Sequence, residues 1–320
     1  MPSRNPRRPS SANPVLQAVD ERIRASLYRP EAQRLLTWYV GRHCNFRCPY
    51  CTLDWPALAR QPLPLGRALI GWRCWREAHG PAQICCTGAE PMAQPEVVRV
   101  LGAISQWHVL DLTSNMRFPP GWLDSFPRPE AVFFSASYHP VPREGRTQSL
   151  AAFSRRLKAV RDQGFRVTGV SCVGYPPLIP ALASAKQHFE GEGHYFSIHL
   201  YRGSFEGRTC PEGYSPSEWD ALADLLGGPD ALAAVKARRT TGRPCWTGSR
   251  YFLILANGDA YRCMGALNQP PLGNLYRGTL HPSAVPEACP AQTGCPCQEL
   301  WPYHASRAEL AAARRLAAGG

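Results

Sequence analysis

Short apolar runs rich in β-branched and aromatic residues recur along the first two thirds of the chain, with polar or helix-forming segments between them. Runs of this length and composition predict β-strands. Six strands are predicted, at 35–40, 83–86, 109–113, 131–137, 165–173 and 195–201.

Several of the intervening segments have the apolar spacing of an amphipathic helix. Pro95 suits a first helical turn, and Val97 and Leu101 behind it share one face. The segment from Leu150 to Val160 repeats apolar residues in the same way before Gly164 ends it. Further helices are predicted at 216–226, 231–239 and 306–318.

The alternation of strands and helices predicts the fold class. Parallel strands need crossover connections, so six βα units imply an α/β fold with a parallel sheet and helices packed outside it. In barrels of this kind, functional residues follow the carboxyl ends of the strands. Near the C-terminus the pattern changes to a hairpin, in which 251–256 and 260–263 pair across a two-residue turn at Asn257 and Gly258.

Composition and charge narrow the class of protein. The 320 residues include 13 cysteines and carry a net charge of +12. The chain begins without the apolar stretch of a signal peptide, so the cysteines are expected to be metal ligands in a reducing, cytoplasmic compartment. No apolar run is long enough to span a membrane. The positive charge suits an anionic substrate, whereas nucleic acid is not an expected partner because much of the charge is diffuse arginine.

The most informative motif directly follows the first predicted strand. Cys44, Cys48 and Cys51 are separated by three and then two residues. Three thiolates on one loop leave one iron of a four-iron cluster open to a substrate or cofactor, whereas a cluster with four thiolates only transfers electrons. A zinc site is the alternative, although zinc needs four ligands and only His43 is near enough to help.

This spacing resembles the signature of the radical S-adenosylmethionine (SAM) enzymes. The resemblance implies a partial (β/α)6 TIM-like barrel over about 35–207. It also implies a four-iron four-sulfur cluster that binds SAM and, once reduced by an external flavodoxin or ferredoxin, cleaves it to a 5'-deoxyadenosyl radical. Tyr50 matches the aromatic position before the third cysteine, which lies near the adenine in that family.

Other segments match SAM-binding elements of the same family. Gly88-Ala89-Glu90-Pro91 follows the second strand and resembles the family's Gly-Gly-Glu-Pro element, whose backbone and glutamate hold the SAM amino group. Ala89 replaces the second glycine, and alanine resists positive φ. The SAM ligands implied at later strand ends are Asn115, Ser137 or in another register Ser135, and Arg202, with His139 a possible substrate contact at the same rim.

The last third of the chain carries a second group of cysteines. Cys245, Gly258 and Cys263 bracket the predicted hairpin, and the cysteines that follow are Cys289, Cys295 and Cys297. The pattern resembles the SPASM and twitch extensions of radical SAM enzymes, which implies one auxiliary four-iron cluster. Which four of the five cysteines bind it stays open, and a zinc-binding knob is the alternative.

One further cysteine lies beyond the sixth strand. Cys210 follows a loop at the rim where some radical SAM epimerases carry a thiol that gives a hydrogen atom to a substrate radical. Such a role requires the thiol to point into the barrel. Cys210 is therefore a candidate hydrogen donor.

These features together predict an enzyme with four regions. They are a basic segment with a lead-in helix at 1–34, the barrel at 35–207, a helical linker at 208–243 and a cluster-binding extension at 244–320. The resemblance implies hydrogen abstraction from a small-molecule or peptide substrate, followed by dehydrogenation, crosslinking or epimerisation. A noncatalytic iron-sulfur or zinc protein that binds nucleic acid is the alternative, and it predicts no SAM cleavage.

Overall fold

The computed structural model describes residues 34–41, 43–51, 63–143, 145–230, 232, 240–291, 305 and 315. The predicted helices at 231–239 and 306–318 lie largely outside the described residues. Cys295 and Cys297, two of the predicted cluster ligands, also lie outside them.

Six parallel strands form the main body of the fold. They pair side by side in chain order. Strands β1 to β6 are Leu35–Tyr39, Gln83–Thr87, Val109–Ser114, Val132–Ser137, Arg166–Gly174 and Phe196–Leu200. Every bound lies within one residue of its prediction, and the predicted α/β fold with a parallel sheet is confirmed.

Five helices accompany the sheet in the described part of the chain. Helices α1 to α5 are Leu65–His79, Pro95–Ile104, Leu150–Asp162, Ile179–Gly191 and Pro216–Leu226. The predictions for α2, α3 and α5 are confirmed, whereas α1 and α4 were not predicted. Helix α1 buries Ala68, Trp72 and Trp75, which have helical spacing. Arginines interrupt the apolar residues of this segment, so a search for continuous apolar runs does not find it.

The sheet has one apolar face and one polar face. Leu110 and Leu112 of β3 are fully buried in the core that packs against the helices. Thr113, whose side chain points to the opposite face, is partly exposed. On β4, Phe134 is fully buried while Ser135 on the opposite side of the strand is partly exposed. The face away from the helices, called the inner face below, is therefore polar and partly open.

The C-terminal segment continues the same sheet. The remaining strands, β7 to β13, are Gly203–Phe205, Arg208–Cys210, Pro244–Cys245, Tyr251–Ile254, Asp259–Tyr261, Gly273–Asn274 and Glu287–Ala288. Strand β10 pairs in parallel with β1, and β11 and β12 follow antiparallel, which makes a nine-stranded sheet. Strand β10, which belongs to the extension predicted at 244–320, thus covers the edge of β1.

The predicted hairpin of β10 and β11 forms, but its turn differs from the prediction. Gly258 N donates to Leu255 O at 2.9 Å, and Leu255 N donates to Asp259 O at 2.9 Å. Gly258 has φ +89°, whereas Asn257 does not have positive φ. A two-residue turn of the predicted type needs positive φ at both central residues, so a longer turn that ends at Gly258 replaces it.

In the part of the chain that the structure describes, no helix combines the length and the apolarity needed to cross a membrane.

Candidate functional site

The three cysteines of the first motif lie on the loop that follows β1, at the carboxyl edge of the parallel strands. Cys44 and Cys48 are partly buried, Cys51 is exposed, and none of the three forms a disulfide. Cys51 N donates to Cys48 O at 3.0 Å, and Phe46 N donates to Cys44 Sγ at 3.3 Å. The loop, called the cysteine loop below, presents three thiols within a few residues of one another.

The chemistry of these thiols fits a four-iron cluster. Burial raises the pKa of Cys44, and it raises the pKa of Cys48 to about 12, so metal binding has to displace their protons. Among the described residues, no three His, Cys, Asp or Glu side chains gather around a point where a single metal ion would bind. A four-iron cluster differs from a single ion because each thiolate binds a different iron, which keeps the ligands apart.

The Gly-Ala-Glu-Pro segment after β2 packs directly on the cysteine loop. Ala89 N donates to Gly41 O at 3.1 Å, and Glu90 N donates to His43 O at 3.0 Å. Gly88 has φ +121°, and a Cβ there would lie 3.1 Å from Gly41 O. This position therefore requires glycine. Ala89 does not have positive φ, so the departure from the family pattern causes no backbone strain.

The carboxylate of Glu90 joins two strand ends. It is 2 % exposed, its Oε1 accepts from Met92 N at 3.0 Å, and its Oε2 accepts from Asn115 N at 2.7 Å. Burial raises the pKa of Glu90 to about 7, although these hydrogen bonds oppose the rise. The Ser114 side chain also hydrogen-bonds this carboxylate, so three of its roughly four acceptor positions are used and one remains for a ligand ammonium.

The side chain of Asn115 fastens the cysteine loop to the end of β3. Its Nδ2 donates to Asn45 Oδ1 at 2.8 Å, and its Oδ1 accepts from Arg117 N at 2.9 Å. Asn45 Nδ2 in turn donates to Arg117 O at 2.5 Å. These bonds hold the segment between Cys44 and Cys48 against the rim, a contact that the sequence did not reveal.

The two serines of β4 occupy different environments. Ser135 Oγ donates to Asp111 Oδ1 at 2.7 Å and lies 3.0 Å from Thr168 Oγ1, in the interior of the sheet. Ser137 is the last residue of the strand, is partly exposed and is level with Ser171 of β5. Of the two registers, Ser137 is the one at the strand end.

An aromatic group adjoins the cysteine loop at the ends of β4 and β5. Tyr50 Oη lies 3.1 Å from His139 Nδ1, and their rings stack with centroids 5.8 Å apart. Tyr175, which was not predicted as a site residue, lies 5.3 Å from the Tyr50 ring. Burial lowers the pKa of His139 to about 4 and raises the pKa of Tyr50, so the pair is neutral at pH 7.

Arg202 and Cys210 lie beyond β6. Arg202 is exposed. Cys210 is 3 % exposed and packs in the main core beside Tyr201 and Tyr214, where burial raises its pKa. Their predicted roles stay predictions.

A second group of buried thiols lies in the C-terminal segment. Cys245, Cys263 and Cys289 share one buried cluster, and burial raises the pKa of Cys245 and Cys263. Arg262, whose charge acts on both of those thiols, is 6 % exposed, and its Nη2 has no hydrogen-bond partner among the described residues. A buried guanidinium N–H without an acceptor fits an anionic ligand such as a thiolate-bound cluster.

Comparison of the fold with solved structures finds radical SAM enzymes of the SPASM and twitch type. The structure of anSMEcpe with bound AdoMet, which is SAM, has a TM-score of 0.55 at 15 % identity, over 77 % of this chain and 75 % of that chain. The anSMEcpe structure with AdoMet and the Cp18Cys peptide has a TM-score of 0.53 at 15 % identity, over 76 % and 77 %.

A second protein gives a similar result. Streptococcus suis SuiB bound to the precursor peptide SuiA has a TM-score of 0.54 at 12 % identity, over 88 % of this chain and 73 % of that chain. Comparison by sequence finds no matching family model and no matching curated protein. The structural similarity therefore establishes the fold, and the chain has the fold of the radical SAM enzymes.

Proposed function

We propose that the protein is a radical SAM enzyme that modifies a peptide. The observation that carries the proposal is the convergence of three thiols, a buried carboxylate and polar strand ends at one edge of a parallel sheet whose fold matches structures with AdoMet bound. This edge is where α/β barrels place their reacting groups.

The residues of the chain have separate tasks in this proposal. Cys44, Cys48 and Cys51 hold the four-iron cluster, Glu90 receives the SAM amino group and Tyr50 lies against the adenine. When bound, the cluster and SAM supply a 5'-deoxyadenosyl radical that removes a hydrogen atom from the substrate. Gly88 lets the backbone approach closely, and Asn115 keeps the cysteine loop in place through Asn45.

The inner face of the sheet supports a peptide as the substrate. Thr113, Ser137, Ser171 and Ser197 are partly exposed there, on four neighbouring strands. Hydroxyl groups both donate and accept hydrogen bonds, as the amide groups of a peptide backbone require. Structures of anSMEcpe and SuiB carry peptides in their complexes, which favours the same substrate class here.

The C-terminal thiols support an auxiliary four-iron cluster. Cys245, Cys263 and Cys289 supply three ligands in this proposal, and Cys295 or Cys297 supplies the fourth. Arg262 Nη2, which has no hydrogen-bond partner among the described residues, provides a hydrogen bond to the anionic group.

Iron analysis of anaerobically reconstituted protein tests the proposal. We expect about eight irons per chain in the wild type and about four in the C44A/C48A/C51A variant, because each four-iron cluster depends on its own thiolates. Addition of SAM should change the electron paramagnetic resonance signal of the reduced wild type only. Dithionite should drive formation of 5'-deoxyadenosine in the wild type and not in the variant.

Cys74→Ala is the matched control because Cys74 is an exposed thiol on α1 that belongs to neither cysteine group. It should keep the iron content and the SAM-dependent signal of the wild type. Zinc in place of iron would rule out the enzyme, and four irons that vanish in the triple variant would rule out the auxiliary cluster alone.

The substrate class needs its own measurement. Short peptides encoded beside the gene should increase formation of 5'-deoxyadenosine and should change in mass after incubation with the enzyme. A small molecule that does both, with peptides doing neither, would contradict peptide modification and leave the radical SAM proposal intact.

A further inference from the structure

Four exposed arginines lie on or next to the cysteine loop. They are Arg47, Arg117, Arg143 and Arg146, called the arginine face below. The last three line a cavity of about 180 Å³ together with Asn45, Phe46 and Pro142. Because Asn45 and Phe46 lie between Cys44 and Cys48, the cavity directly adjoins the proposed cluster ligands.

The fold holds these arginines in place. Arg47 Nη1 donates to Cys44 O at 2.6 Å and to Phe46 O at 2.8 Å, and the Arg117 guanidinium lies 6.0 Å from the centre of the Phe46 ring. Arg146 N donates to Arg143 O at 3.0 Å, which closes a tight turn between them. Arg47 N donates to Pro142 O at 2.8 Å and so ties this turn to the cysteine loop.

The positive charge of the arginine face is not neutralised within the described part of the chain. None of the four arginines forms an ion pair with a described carboxylate. Glu144 belongs to the same loop by sequence and lies outside the described residues. Arg156 of α3 adds a further positive charge near Arg117. Burial and the charge of Arg117 both lower the pKa of Arg156. Repulsion among like charges opposes folding, so the cluster of charge calls for an anionic partner.

The shape of the arginine face favours a protein partner over a small substrate. A cavity of about 180 Å³ accommodates a carboxylate side chain, whereas pockets for whole ligands are usually larger than about 300 Å³. Arg117, Arg143 and Arg146 are exposed, and none of them belongs to the strands whose hydroxyl groups line the inner face proposed for the substrate. Guanidinium groups bind carboxylates through paired hydrogen bonds.

We propose that the arginine face docks an acidic electron-donor protein of the flavodoxin or ferredoxin class. The inference rests on the proposed function, which needs one electron per SAM cleaved. The reduced donor loses that electron and the enzyme gains it, with no atom transferred. Electron transfer weakens steeply with distance, so a donor bound beside Cys44 and Cys48 is well placed. Redox encounters of this kind are small, transient and steered by charge.

Charge reversal at two of the arginines tests the inference. Arg143 and Arg146 form no hydrogen bond or ion pair with Glu90, Asn115 or the thiols in the described structure, so R143E/R146E should fold and bind iron as the wild type does. We expect calorimetry to show flavodoxin binding to the holoenzyme weakened roughly tenfold or more, and wild-type binding to weaken as salt increases. SAM cleavage driven by NADPH, flavodoxin reductase and flavodoxin should fall in proportion, while cleavage driven by dithionite should not change.

The matched control is R161E/R166E. It makes the same change of net charge at the amino-terminal end of the parallel strands, whereas the arginine face lies at their carboxyl end. Arg161 lies in the last turn of α3 and Arg166 begins β5. This variant should bind flavodoxin within about twofold of the wild type, since exposed charges beyond a Debye length are screened.

Three outcomes would overturn the docking surface. They are unchanged flavodoxin binding in R143E/R146E, an equal loss in the control, and an equal loss in the dithionite and flavodoxin assays, which would place a substrate anion at the arginines. Failure of the proposed function is distinguishable, because wild-type protein would then form no 5'-deoxyadenosine even with dithionite.

Discussion

Gly88 illustrates how a single backbone position can hold two loops together. Its φ of +121° and the 3.1 Å approach of a Cβ to Gly41 O exclude a side chain without rearrangement. We predict that Gly88→Ala lowers the free energy of unfolding by roughly 1–3 kcal/mol, measured by urea denaturation. Gly66→Ala in the first turn of α1 is the control, since a Cβ there meets nothing within 4 Å. Equal stabilities of the two variants would contradict the prediction.

Arg262 has a structural role that can be measured without a cluster. Its Nε donates to Thr247 O at 3.1 Å, its Nη1 donates to Ala288 O at 3.1 Å, and Glu287 lies 3.0 Å from Nη1. We predict that Arg262→Met lowers the free energy of unfolding by roughly 2–4 kcal/mol, because the buried Thr247 carbonyl and the partly buried Ala288 carbonyl lose a charged donor. Arg277→Met, at an exposed arginine, should change it by less than about 0.5 kcal/mol. A similar loss in both variants would remove the assigned role.

Burial of a neutral histidine connects α1 to the strand that carries the Gly-Ala-Glu-Pro segment. His108 Nδ1 accepts from Ala82 N at 3.1 Å, and Nε2 donates to Trp72 O at 3.0 Å. Both ring nitrogens are used by the neutral ring, and desolvation lowers the pKa of His108 to about 4. The folded state therefore resists protonation that the unfolded state accepts.

This histidine gives the fold a predictable acid sensitivity. Its stabilising contribution is complete above the ordinary pKa of about 6.5 and is lost as pH falls through about 4, by up to about 3 kcal/mol. His108→Gln should reduce the slope of unfolding free energy between these pH values, measured by urea denaturation at several pH values. His139, whose pKa burial also lowers to about 4, should still contribute to the slope in this variant. An unchanged slope in His108→Gln would contradict the assignment.

The parallel strands and the C-terminal segment form one continuous structure. Strand β10 covers the edge of β1, and Trp38 Nε1 on β1 donates to Tyr276 Oη at 2.8 Å. Gly71 of α1 leaves so little space that a Cβ would lie 2.9 Å from Leu275 O. The two parts are therefore expected to unfold together.

Removal of the Tyr276 hydroxyl tests this coupling. Tyr276→Phe leaves the buried indole N–H of Trp38 without its acceptor and should lower the free energy of unfolding by roughly 1–3 kcal/mol. Tryptophan fluorescence and circular dichroism should report one shared, shifted transition. Tyr261→Phe is the control, since its hydroxyl forms no hydrogen bond in the described structure. Two separate transitions would show that the segments fold independently.

Local patterns were sufficient for the six parallel strands and for three of the helices. Strand period, helix spacing and turn residues act over a few neighbouring positions, so β1 to β6 could be predicted within one residue. Short motifs also identified the cysteine loop and Glu90 as candidate site residues, and the structure brings them together through the bond from Glu90 N to His43 O. Helix α1 was missed, although the spacing of Ala68, Trp72 and Trp75 was readable.

Contacts between distant parts of the chain could not be predicted in this way. The pairing of Leu35 with Tyr251, the Asn115 to Asn45 bond and the Glu90 to Asn115 bond join residues that no local pattern relates. The arginine face also forms only when three loops meet at one edge of the sheet. The sequence alone was therefore enough for most of the elements and for a set of candidate site residues. Folding decided which side chains remain available for ligands, because hydrogen bonding and burial depend on neighbours in space.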